Sequence, residues 1–68
     1  MNPEIGTLVE VTMVGAEVSE KMAVVKIDPA KGVVVLEDQK TKIKQQMSFE
    51  YFMEATGMTL DTRTLLKG

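Results

Sequence analysis

The segment Asp28-Pro29-Ala30-Lys31-Gly32, set between two valine-rich runs, constrains this chain more than any other feature. Pro29 presets φ for the first turn position, Asp28 can accept hydrogen bonds from the amides that follow, and Gly32 can take the left-handed conformation that closes the loop. Two β-branched arms joined in this way make a hairpin. Nine valines, three isoleucines and seven threonines among the 68 residues favour strands throughout, because such side chains lose rotamer freedom in helices and fit a pleated surface.

The arm before the turn runs from Met22 to Asp28, with Ala23, Val25 and Ile27 on one face and Met22, Val24 and Lys26 on the other. The arm after it, Val33 to Glu37, is apolar on both faces. A single domain of residues 1–68 buries only about 60% of the surface its unfolded chain exposes, so one face of that arm is expected to meet a second chain. Met22, Val24, Val33 and Val35 are the expected partner-binding patch. An earlier strand is expected from Thr7 to Val14, where Val9, Val11 and Met13 alternate with Leu8, Glu10 and Thr12. Gly15 ends it, and Val18 is the one large apolar anchor in the polar stretch 16–21.

Residues 39–56 fit two templates. Lys40, Lys42 and Lys44 alternate with Thr41, Ile43 and Gln45 as in a strand, while Ile43, Met47 and Tyr51 are spaced by four as in a long helix. Ser48 favours a strand to about Gln46 followed by a short helix over 49–56. It is a good N-cap, Glu50 stands in the first turn where the dipole favours a carboxylate, and Gly57 stands where a left-handed cap is needed. Phe49, Phe52 and Met53 then form an apolar stripe. Residues 58–66 alternate again and read as a last strand. Met13, Met53 and Met58 are expected in the core.

This order of elements resembles the small Src-homology-3-like β-barrels, whose relatives include Tudor, KOW and Sm-type domains. The resemblance rests on Gly6-Thr7-Leu8-Val9-Glu10-Val11, on Ala23 to Asp28 and on Val33 to Asp38. It implies a mainly β fold, a five-stranded barrel with one short helix near residues 49–56. Tudor-type readers hold methylated ammonium groups in an aromatic cage, whereas Phe49, Tyr51 and Phe52 fall within one short segment. Gly15 and Asp28 stand where an Sm-type motif has such residues, but the Asn that follows its Asp is missing, so no base pocket carries over.

The chain contains no histidine and no cysteine. Catalytic triads, thiol chemistry and imidazole-ligated metals are therefore excluded. Ser48 reads as a cap, and the Glu50/Glu54 pair as the solvated side of a helix. No catalytic residue, cofactor, metal site or small-molecule substrate is expected. The net charge of −2 removes the bulk attraction toward phosphate backbones. One basic feature stands against it. On a strand, Lys40, Lys42 and Lys44 would project from one face about 7 Å apart, close to the spacing of successive phosphates, with Arg63 as a further contact. No signal peptide or membrane span is expected, and a cytoplasmic setting fits the lack of cysteine. The expected function is a non-catalytic interaction module that forms a homo-oligomer or docks a protein partner. The alternative is a nucleic-acid-binding regulator that uses the lysines.

Overall fold

The Asp28 turn forms as its residues require: the Asp28 carbonyl accepts from the Gly32 amide at 2.8 Å, the Asp28 Oδ1 accepts from the Lys31 amide at 3.2 Å, and Gly32 has φ 68°. The computed structural model describes residues 3–61. The turn joins β2 (Glu20–Asp28) to β3 (Val33–Asp38), with β1 (Leu8–Val11) outside β2 and β4 (Lys44–Ser48) outside β3. All neighbours are antiparallel. Helix α1 (Phe49–Thr56) follows β4 directly. The protein is thus mainly β, an open four-stranded sheet with one short helix.

The sheet does not close into the expected barrel, and no fifth strand occurs among the described residues. Residues 58–61 of the expected last strand are irregular; the remainder of that segment, with Arg63, lies outside the described residues. The first strand stops at Val11 rather than Val14, because the Thr12 amide turns to the Ala55 carbonyl of α1 at 2.8 Å. Val18, expected as an anchor, is exposed.

The short-helix template is the correct one. Ser48 caps α1 by accepting from the Tyr51 amide at 3.1 Å, and Gly57, at φ 73°, donates to the Met53 carbonyl at 2.8 Å. Such an N-cap contributes about 1 kcal/mol. The helix lays Phe52 and Ala55 onto the inner face of the sheet. There they meet Val9, Val11, Met22, Val24, Val34, Leu36, Met47 and Leu60, and Met13, Met53 and Met58 pack half-buried against this core as expected.

One irregularity sets the faces. Val24 pairs with Leu36 but Lys26 pairs with Val35, so Val25 is an extra residue in β2, a β-bulge. Before the bulge Met22 and Val24 point inward. After it Ile27 does, opposite Val34. The alternation Ala23, Val25, Ile27 is therefore not one face.

Candidate interaction surfaces

The bulge and the core together redistribute the expected patch. Met22 and Val24 have 0% of their surface exposed. They hold the centre of the core and present nothing to a partner, which corrects their placement. Val33 and Val35 lie on the opposite, outer face and are half-buried. Across that face Leu8, Ala23, Glu37 and Lys44 stand in one row, Lys26, Val35 and Gln46 in the next, and Asp28, Val33 and Ser48 in a third. Its small apolar centre is ringed by charges of both signs.

The lysines do not form a strand face either. Lys40 and Lys42 belong to the turn between β3 and β4, and only Lys44 lies on a strand. Asp38 builds that turn as Asp28 builds the other. Its Oδ1 accepts from the Lys40 amide at 2.7 Å and the Thr41 amide at 3.1 Å, and its carbonyl accepts from the Lys42 amide at 2.8 Å. Four residues after each aspartate the backbone is left-handed: Gly32 in the first turn, Lys42 with φ 64° in the second. Glycine takes that conformation freely, whereas a side chain there costs about 1–2 kcal/mol. The equal spacing of Asp28/Gly32 and Asp38/Lys42 was the signal for the second turn. The lysine at the glycine position concealed it.

Asp38 is a buried polar residue on the inner face, opposite Met22. Its carboxyl is held below the ordinary value of 3.8 by the Thr41 amide first and the Lys40 amide next; desolvation opposes this, and the Glu20 side chain and the Lys40 charge add to it. A carboxyl more acidic in the folded state than in the unfolded one adds stability above the unfolded value, and that stability is lost as pH falls through the folded value. The urea midpoint is therefore expected to drop as pH falls from 3.8 downward. Asp38→Asn should be flatter over that window, and equal slopes in the two proteins would reject the role given to this carboxylate. A depression of about 600 Å3 beside Asp38 is lined by Val18, Glu20, Lys21 and Lys40 among others. No group of three or more acidic residues able to hold a metal ion occurs among the described residues.

A second concavity lies along β4. The Phe49 amide donates to Gly32 and the Asp38 amide to Ile43, both at 2.9 Å, in register with the β3/β4 ladder. By antiparallel alternation, Gln45 and Met47 direct their backbone groups at β3, while Lys44 and Gln46 direct theirs away from it. β4 is the last strand on its side among the described residues. Beside it runs a groove of about 350 Å3 lined by Met13, Gln45, Gln46, Met47, Ser48 and Tyr51. The Tyr51 hydroxyl braces its far wall, accepting from the Val14 amide at 3.1 Å and donating to the Met13 Sδ at 3.7 Å. Sequence reading missed this edge, since Met13 and Tyr51 are 38 residues apart and nothing local links them.

Comparison with protein-family models, curated proteins and solved structures gives no match. No helix among the described residues is long and apolar enough to cross a membrane.

Proposed function

We propose that this chain is a non-catalytic interaction module that works by homo-oligomerisation or by docking a protein partner. The observation that carries this reading is the one-sided sheet. Among the described residues, helix and core cover its inner face, while the outer face with half-buried Val33 and Val35 and the edge of β4 are left uncovered. Antiparallel sheets do present a solvated face, but an uncovered edge strand is in addition a template for pairing. A chain without histidine or cysteine lacks the commonest acid–base side chain and the thiol nucleophile, which supports association over catalysis.

Sedimentation velocity of the pure protein from low to high micromolar, together with crosslinking in the source cell, tests the reading. Concentration-dependent association, or one reproducibly crosslinked protein, is expected. A strict monomer that crosslinks to nothing would reject it.

A nucleic-acid-binding role is the second reading, and Lys42 is what favours it. A charged side chain is kept at a backbone position that its sister turn gives to glycine. Lys40 and Lys44 flank it in sequence, and phosphate contact by lysine demands only a point charge. Binding would weaken steeply with salt, and each lysine removed would reduce the log–log slope by about one.

A further inference from the structure

We propose that the edge of β4, unpaired among the described residues, and its groove accept an extended segment of a partner protein as an added strand, in which apolar side chains alternate with acidic ones. This rests on the association reading above and names what the sheet associates with.

The main-chain part follows from the ladder. Lys44 and Gln46 each turn an N–H and a C=O away from β3, the repeat at which an incoming strand forms its hydrogen bonds. The side-chain part follows from the pleat. Alternate residues of an added strand would stand on the inner side, where Met13, Met47 and Tyr51 line the groove. Ile43, on that same face of β4, is 60% exposed and extends the apolar row. The intervening residues would stand beside Lys44 and Gln46 on the outer side. From Lys40 to Ser48 there are three lysines and no acidic residue, so anionic side chains complement this outer row and the turn that leads into it. Lysine is also a routine guard of sheet edges. Here it guards only one side: on the other, half-buried Met13 and Tyr51 wall the groove and Met47, buried in the core, forms its floor.

The experiment titrates the full chain with a short blocked peptide of alternating glutamate and valine, followed by amide NMR, with a lysine–valine peptide as control. Saturable binding is expected, with the Lys44 and Gln46 amides shifting most and the control at least about tenfold weaker. Gln46→Pro removes an N–H that points away from β3. It should preserve the far-ultraviolet dichroism and weaken binding about tenfold or more. Lys44→Glu should invert the preference between the two peptides, a readout that stands even if the proline variant fails to fold. Failure of both peptides, or affinities indifferent to both variants, overturns the proposal. Self-association that Gln46→Pro abolishes, without peptide binding, overturns the occupant named here in favour of a second copy. Association that Gln46→Pro leaves intact overturns the edge as the docking site while the association reading stands.

Discussion

Phe52→Ala is expected to leave the chain unfolded at room temperature. Phe52 is the largest of the fully buried side chains, with 0% of its surface exposed, and it is the residue through which α1 reaches the sheet core. Removing a buried phenyl costs about 3 to 5 kcal/mol, part of it lost transfer free energy and part the cavity left behind. A single core in a chain of this size rarely supplies more than about 3 to 5 kcal/mol in total, and no cysteine is present to form a disulfide. The loss therefore matches the whole margin. Loss of the cooperative urea transition, followed by far-ultraviolet dichroism, is the expected result. A transition shifted by no more than a surface substitution would shift it would show that α1 contributes little to the fold.

Val24→Lys should be equally destructive, and its contrast with Val35→Lys tests the face assignment directly. Val24 is fully buried between Met22 and the bulge, whereas Val35 lies half-buried on the outer face beside Lys26 and Gln46. A lysine at 24 would carry an ammonium group into the core with no partner. An uncompensated buried charge costs about 3 to 5 kcal/mol. At position 35 the added amine reaches solvent, and the loss should be about 1 kcal/mol or less, the range of β-propensity. Urea melts of the two variants check this. The reverse order of stabilities would mean that the two strands carry their valines on the opposite faces from those described, and comparable stabilities would reject the contrast in burial.

Val24 and Val35 also illustrate where sequence reading stops. Alternation along β2 and β3 sorts the side chains into two sets, but it does not say which set is inside. Reading the face of Met22 and Val24 as a contact surface was a choice between two equal patterns, and the pairing of Val9 with Met22 and of Val24 with Leu36 decided the other way. The bulge at Val25 added a second ambiguity. One unpaired residue exchanges the two faces for the rest of the strand, and a run such as Ala23-Val24-Val25-Lys26-Ile27 gives no sign of where it will fall. The lysine alternation failed for a related reason. Lys40 and Lys42 follow the period of a strand, but the carboxylate of Asp38, accepting from the Lys40 and Thr41 amides, bends that segment into a turn.

By itself, the sequence determined what depends on residues within about four positions of one another: the Asp28 to Gly32 turn, and a helix begun by Ser48 and ended by Gly57. Their hydrogen bonds close locally, so residue identity is enough. Only the tertiary structure decided which faces of the valine strands are buried and that, among the described residues, the sheet stays open and Met13 and Tyr51 meet beside an edge strand, β4. Those outcomes depend on which distant segment lies opposite each residue. A period-2 pattern is symmetric until the packing of Phe52 and Leu36 on one side makes the two faces unequal.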